Sequence, residues 1–573
     1  MILNKRRAAI AATVMSVAVL AAACGNGSTE TVTAPEPVAT ADGGSADGGS
    51  ADNGGIATMD SCPIDQAHRV GAMADFGVNS DFRATEPITV DFLYGVWPDF
   101  PPQDDWLFFT SLRDDHNVTI DRDEVLLSDW DIRRSTVIAA GDFPTVVTQV
   151  WGGQEGPWWA GGGILPISQF LGCMPNFSHF VNEWGIAPQF NDTAVADGNI
   201  YNLQSLRQSP ELNRFVVINT DLFEQAGANT SPATFDEFAE ALRLVQDNTD
   251  VDYAFSDRWN TQTGPLGAML NISGPAFGTS GGWNRNPFQF DHDAGEFVVR
   301  AGTEQYRSMI EFFANLRAAG VMDQELTQSD DEAISKFING RSAAIGGDFT
   351  SLNTMRAAAA ELGINLNAQV MMIPAGPAGN LVGGSQLGPG IVLNNNIRNN
   401  PNFLAILQFL DWLYYSDNGR EFAQWGIEGV TFNRLPDGTR VLAEDLGGAE
   451  ATNATDLLQQ QFGFRNFVFM PSWGSSDDLV TSVMTPEQRA WTLAMADRVH
   501  LAPLEPGVAL TEAEQDELAV IQSTVQDATD AAVAEFLVGR RPMSEWDAFV
   551  TQLRGLGADR IVEVMNGALA RSR

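Results

Sequence analysis

Lysine is nearly missing from this chain. Of 573 residues only Lys5 and Lys336 are lysines, and 73 acidic residues against 33 basic ones give a formal net charge of −40. A surface of that sign repels nucleic acid and anionic lipid, which argues against partners recognised through phosphate. Histidine is scarce too. His68, His116, His179, His292 and His500 are scattered, with no HExxH and no close ligand spacing, so no metal site and no cofactor is expected. Beyond the N-terminus no apolar run is long and uncharged enough to cross a bilayer.

What is present begins with a targeting signal. Lys5, Arg6 and Arg7 form a basic start, and Ala8 to Ala23 is an apolar run too short and alanine-rich for a comfortable span. The run ends Leu20-Ala21-Ala22-Ala23-Cys24-Gly25, which resembles a bacterial lipobox with its large aliphatic residue one place further from the cysteine than usual. Residues 1–23 therefore read as a signal peptide and Cys24 as a lipidation site. The alternatives are a plainly secreted chain or an uncleaved anchor. From Gly25 to about Thr58 the chain is mostly Gly, Ser, Ala, Thr and Asp, so 24–58 is expected to be a flexible tether and 59–86 an N-terminal extension. With Cys24 acylated, Cys62 and Cys173 remain as an even pair in an oxidising compartment. That favours a disulfide over two buried thiols.

The rest, with 14 tryptophans and 44% hydrophobic residues in the chain as a whole, can bury a large core and suggests two or more domains. Strands are expected at Ile88–Tyr94, Val118–Ile120 and Thr145–Val150, with helices at about Asp104–Asp115 and Asp129–Ala140. That alternation predicts an α/β fold with a parallel sheet, whose ligands collect at the carboxyl ends of strands. Trp97 and Trp151 sit just past two such ends. The stretch Asp197–Gly227 reads as a strand leaving one lobe and entering another, with the hinge at Ile200–Leu206 and a cleft above it.

Several segments carry a family resemblance. Ala139–Phe170 contains AAGDFPTVVTQVWGG and ILPISQF, with Thr145 where the related pattern has Asp. Other matching pieces are FVVINTDLFEQAG followed by SPATFDEFAEAL, FINGRSAAIGGDF, MMIPAGPAGN, LDWLYYSDNGREFAQWGIEGVTF, and the C-terminal FLVGRRPMSEWDAFVTQLRGLGADRIVEVMNGAL. In this order, over roughly Pro87 to Leu569, they resemble bacterial extracellular solute-binding proteins of the maltose-binding type, nearest the long-chain oligosaccharide- and alginate-binding lipoproteins. The resemblance implies a two-lobed periplasmic-binding-protein-like fold with discontinuous lobes: 87–202 with 381–424 as lobe 1, and 203–380 with 425–573 as lobe 2. It also implies a ligand handed to an ABC-transporter permease.

A sugar ring has an apolar C–H face and a hydroxyl edge, so its cleft needs flat aromatic platforms flanked by polar side chains. Trp97, Trp151, Trp259, Trp283, Trp425 and Trp473 lie in loops or just after strands. For any single tryptophan, core packing is the competing role. By the resemblance, Trp151, Trp259 and Trp473 fall near stacking positions and Asp348 at a ligand-side position. The expected ligand-binding set is Trp97, Trp151, Gln154, Glu155, Arg207, Arg258, Trp259, Asp348, Trp425 and Trp473.

Enzyme-like signals are weak. Gly278–Gly282 fits a nucleophile-elbow pattern, yet the residues after it, through Pro287, cannot start the helix an elbow requires. No local motif singles out a carboxylate pair for glycoside hydrolysis. Asp247–Asp252 supplies only part of a calcium-loop ladder, without its glycine or closing Glu. The sequence thus reads as a monomeric, lipid-tethered, non-enzymatic binder of a carbohydrate, with a neutral oligosaccharide favoured because the overall field opposes anions. The alternatives are a secreted carbohydrate-active enzyme and a surface adhesion protein.

Overall fold

The computed structural model describes residues 62–572 apart from 98, 99, 211, 213, 327 and 449–453. The signal peptide, Cys24 and the tether fall outside these residues. Among the described residues no helix is long and apolar enough to cross a membrane.

Two sheets organise two lobes. The first has the strand order Val118–Leu126, Ile88–Val96, Val146–Val150, Leu387–Leu393, Leu203–Leu206. Its first three strands are parallel, and Leu387–Leu393 runs antiparallel to both neighbours, so Leu203–Leu206 again points the same way as the first three. Buried side chains cover both faces of this sheet, which is why Val146–Val150 reads as a continuous buried run instead of alternating. The second sheet has the order Ala368–Val370, Phe215–Asn219, Ser342–Gly347, Tyr253–Ser256, the last two parallel and the others antiparallel.

Beneath the first sheet lies the helix Phe403–Tyr415, all of whose residues are buried. Its two polar side chains hold other segments in place. Gln408 accepts from Met73 N and donates to Met73 O, while the Asp411 carboxylate accepts from Asn176 N, Asn176 Nδ2 and Phe177 N at 2.8–2.9 Å. Ile64, Phe76 and Phe82 join this core, and Cys62 is bonded to Cys173 with 4.7 Å between their Cα atoms. The segment before the first strand is therefore part of lobe 1.

The two cores correct the expected lobe boundaries. One contains residues from Ile64 to Leu206 and from Ile391 to Leu479; the other contains residues from Phe215 to Val382 and from Trp491 to Leu569. The chain thus crosses between lobes three times, near 207–214, 383–387 and 484–490. Leu203–Leu206 is an edge strand of lobe 1, because Leu203 and Leu206 complete its core; the crossing is the polar Arg207-Gln208-Ser209-Pro210 stretch that follows. Residues 425–482, expected in lobe 2, pack on lobe 1 through Phe432, Leu442, Leu458, Phe464 and Phe469. Hydrogen bonds join the first two crossings, from Arg207 N to Gln386 O (2.8 Å) and from Gln386 Nε2 to Gln208 O (2.9 Å), and Gln208 N also donates to Ser475 O of lobe 1 (3.0 Å).

Local signals account for several termini. Gly141 ends the helix Trp130–Ala140 with φ +70°, and Thr145 N and Oγ1 both bond the Asp91 carboxylate. Thr234 caps the helix Phe235–Asn248 by accepting from Glu237 N, but the Glu237 side chain reaches Ala233 N instead of closing a box on Thr234.

Candidate functional site

Strand direction places the site. In lobe 1 the carboxyl ends of three strands deliver Trp97, Trp151 and Arg207 to one edge of the sheet. In lobe 2 the parallel strands Tyr253–Ser256 and Ser342–Gly347 end at Asp257 and Asp348, and the antiparallel Phe215–Asn219 begins there, which brings Arg214 to the same edge. Arg207 leaves the last strand on the lobe 1 edge and Arg214 enters the first strand on the lobe 2 edge, so the first crossing links the two edges.

On the lobe 1 edge Phe467 is the hub of an aromatic row. Its ring lies 5.5 Å from Trp97, 6.5 Å from Trp151 and 5.8 Å from Trp473, and the Arg465 guanidinium sits 5.3 Å from the Trp473 ring. Trp97 and Trp151 are 40% and 43% exposed, so their faces are open for stacking. Beside them is a cluster of buried polar groups. Gln154 accepts from Trp151 N, and Glu155, Asn202 and Gln204 are buried. Burial pushes the Glu155 carboxyl above the usual carboxylate range, partly offset by the N–H groups of Glu155 and Gly153 and by the Asn202 amide. Glu155 Oε2, Asn202 Oδ1, Gln204 Oε1 and Trp473 Nε1 have no hydrogen-bond partner among the described residues. That concentration of unused donors and acceptors is what a hydroxyl-rich ligand would satisfy.

The lobe 2 edge is built around a tryptophan pair. Trp259 adopts φ +61°, a left-handed conformation costly for a bulky side chain, and is held there by Asp330 Oδ1 on its N–H at 2.7 Å. Its ring is only 7% exposed, with Trp283 at 5.1 Å, the Arg258 guanidinium at 4.1 Å and that of Arg214 at 5.2 Å. The 42% exposed ring on this edge is Trp283. Arg258 pairs with Asp330 at 3.2 Å and Arg214 with Asp348 at 3.4 Å.

The structure thus brings Trp97, Trp151, Gln154, Glu155 and Trp473 together on one edge and Arg258, Trp259 and Asp348 on the other. Arg207 stands at the start of the crossing. Asp348 also caps the helix Phe349–Glu361 through Ser351 N (2.7 Å), so it has a structural task. Trp425 is corrected. It ends a helix, is 3% exposed within the lobe 1 core, and donates its indole N–H to Ser482 Oγ at 2.9 Å. Sequence reasoning left out Arg214 and Phe467. The run Phe464–Trp473, FRNFVFMPSW, has the aromatic density to flag Phe467, but nothing in its own pattern places it on lobe 1, where Phe464, Val468 and Phe469 are buried.

Asp257 makes a testable electrostatic point. It is buried, and burial pushes its carboxyl up to about 7; the N–H groups of Arg258, Met269 and Ala268 pull the other way without reaching hydrogen-bonding geometry. Asp411 is likewise pushed up to about 7 by burial, against the N–H groups that hold it. Both folded-state values lie above the ordinary 3.8, so these two carboxyls hold more protons in the folded than in the unfolded state between about pH 4 and pH 7. The stability these groups contribute is fully present below that window and is lost as pH rises through it. The melting temperature is expected to fall from about pH 5 to about pH 8, and Asp257→Asn to shrink that slope without abolishing it. An unchanged slope in the variant would contradict the assignment.

Among the described residues no group of three or more His, Cys, Asp or Glu is placed to hold a metal. The Asp252 carboxylate from the incomplete calcium ladder is engaged by Arg341.

The family model for bacterial extracellular solute-binding protein matches residues 131–419, half of the chain. A curated relative, the polygalacturonan/rhamnogalacturonan-binding protein YtcQ of Bacillus subtilis, is 22% identical over 314 residues; the match covers 54% of this chain and 59% of that protein's length. Among solved structures, an extracellular solute-binding protein from Bifidobacterium longum subsp. infantis superposes with a TM-score of 0.62 at 16% identity, covering 85% of this chain and 99% of its own. The alginate-binding protein AlgQ2, solved without calcium, gives 0.59 at 17% identity over 86% and 99%. The Streptococcus pneumoniae binding protein FusA, in complex with kestose, gives 0.61 at 18% over 85% and 99%. At these identities the structural likeness establishes the two-lobed fold alone. Together with the family match, it means that the chain belongs to the bacterial extracellular solute-binding protein family.

Proposed function

We propose that this protein captures a neutral oligosaccharide between its lobes and delivers it intact to an ABC import permease, working as a monomer held at the outer face of the cell membrane by lipid on Cys24. The observation that carries the reading is the placement of exposed rings, Trp97 and Trp151 on one sheet edge and Trp283 on the other, beside buried amides and carboxylates with unused hydrogen-bonding capacity. Flat rings match the C–H faces of sugars, and amides and carboxylates match their hydroxyl edges. The names of the relatives YtcQ, AlgQ2 and FusA point to carbohydrates as the ligand class.

Calorimetric titration with a panel of glycans, followed by chromatography of the recovered sugar, tests this directly. The proposal expects saturable binding and return of the ligand unchanged; release of shorter products would favour the enzyme alternative, and binding only to intact surfaces would favour adhesion. For the anchor, Cys24→Ser is expected to release the protein into the medium. Retention of the variant on the membrane would refute lipidation at that site.

Ligand charge is read from the two arginines of the lobe 2 edge. Arg214 and Arg258 already face Asp348 and Asp330, so neither offers an unneutralised charge to an acid. Neutral oligosaccharides are expected to bind more tightly than galacturonate or alginate oligomers, with little dependence on salt. The names of YtcQ and AlgQ2 favour a second reading, an acidic sugar; tighter uronate binding that weakens steeply with salt would establish it.

A further inference from the structure

A cavity of about 570 Å³ opens in lobe 2 against the crossings, and nothing above uses it. Its floor is the helix Gly267–Phe277 and its far wall the crossing segment 381–385. The near wall is the Gly278–Gly282 turn, the motif that only mimics a nucleophile elbow. That turn is rigid. A Cβ on Gly282 would stand 2.3 Å from Gly267 O, so the chain packs on the helix at a distance only glycine permits, and Gly282 itself has φ +64°. From behind, the fully buried Arg300 bonds Ser280 Oγ (3.3 Å) and Asn284 O (3.0 Å), fixing both residues at the cavity rim.

The cavity adjoins the site already described. Arg214 lines it and also stands 5.1 Å from the Trp283 ring, and Asn284, another lining residue, follows Trp283 in the chain. Its lining alternates apolar surface from Ile272, Phe290 and Leu381 with the amides of Asn271, Asn284 and Gln289. The carboxyl of Glu505 accepts from Phe290 N at 3.2 Å, Arg214 is paired with Asp348, and His292 completes the polar part of the lining, so its one arginine is already neutralised.

We propose that this cavity is a subsite for the terminal rings of a neutral oligosaccharide, so that the protein selects long chains over short ones. The inference rests on the carbohydrate reading above. A chain stacked on the tryptophans of the two edges would pass Arg214 and seat its end against Asn271 and Gln289. Affinity then rises with each added ring until the cavity is filled, whereas a site limited to the edges would saturate at shorter length.

The test uses neutral oligosaccharides of two to six rings from the malto-, cello-, xylo-, manno- and fructo-series, titrated into the full chain and two variants. Ala502 lines the cavity from an extended segment whose N–H bonds Val382 O, so Ala502→Trp fills the space without removing a backbone contact. Asn271→Ala removes a hydrogen-bonding group and leaves the volume. In the series that the unaltered protein binds, Ala502→Trp is expected to lower affinity for the longest chain at least tenfold, to that of a chain short enough not to enter, and to leave the two-ring sugar unaffected. Asn271→Ala should act in the same direction by several-fold, both variants melting near the parent temperature. Equal loss at every length, or an unchanged length dependence in both variants, would overturn the subsite. Binding of no series by the unaltered protein would instead overturn the neutral-oligosaccharide reading, and the subsite with it.

Discussion

Replacing Cys62 and Cys173 together with serine is expected to lower the stability of lobe 1 by about 4 to 5 kcal/mol, the chain-entropy value for a closed loop of roughly a hundred residues. The two cysteines are 111 residues apart in sequence, and their bond ties the segment before the first strand to Ile167–Cys173 beside the first sheet. Against a total stability of about 5 to 15 kcal/mol for a typical domain, that is a large fraction. The part of the lobe most exposed to the loss is the N-terminal segment, whose other ties are the Met73–Gln408 pair and the packing of Ile64, Phe76 and Phe82. Denaturant unfolding with and without reductant measures the effect. The denatured, unreduced protein should show no titratable thiol from Cys62 or Cys173; two such thiols, with a midpoint insensitive to reductant, would contradict the bridge.

Trp151→Ala and Trp283→Ala are each expected to weaken ligand binding by about 1 to 3 kcal/mol, the range for truncated aromatic anchors, and the pair by roughly the sum. Both rings are more than two-fifths exposed, so neither change removes much of a core, and the melting temperature should move little. Trp259→Ala should behave differently. Its ring is covered by Trp283 and Arg258, and truncation there is expected to destabilise lobe 2 by about 3 to 5 kcal/mol, the usual cost of removing a buried aromatic. The resemblance puts Trp151 and Trp259 near stacking positions; on this expectation Trp259 is a support and Trp283 is the ring that presents its face. Loss of affinity in Trp259→Ala with unaltered stability, alongside full affinity in Trp283→Ala, would make Trp259 the stacking face instead.

The contrast shows which features are local. The strand Val146–Val150, the glycine stop at Gly141 and the Thr234 cap depend on neighbouring residues, and periodicity and cap chemistry make them readable from the chain. Lobe membership is not local. The segment 425–482 joins lobe 1 because Phe432, Leu442 and Phe464 find their partners there, and nothing in its own pattern names those partners. Trp425 and Trp97 look alike in sequence, each at the end of a regular element, yet one is enclosed against Phe432 and Ser482 and the other stands open beside Phe467. Arg214 escaped notice because the functional edge of lobe 2 includes the start of an antiparallel strand as well as the ends of parallel ones, and strand order is a property of the whole lobe.

A ligand that touches both edges is expected to bind and close the lobes in one event, since a ligand shifts an equilibrium only by its differential affinity for the two states. Small-angle X-ray scattering on the protein with and without a saturating neutral oligosaccharide tests it most directly. The account predicts a smaller radius of gyration with sugar bound, and loss of that change in the Trp151→Ala, Trp283→Ala double variant at sugar concentrations that saturate the parent. An unchanged radius at demonstrated full occupancy of the parent protein would contradict it.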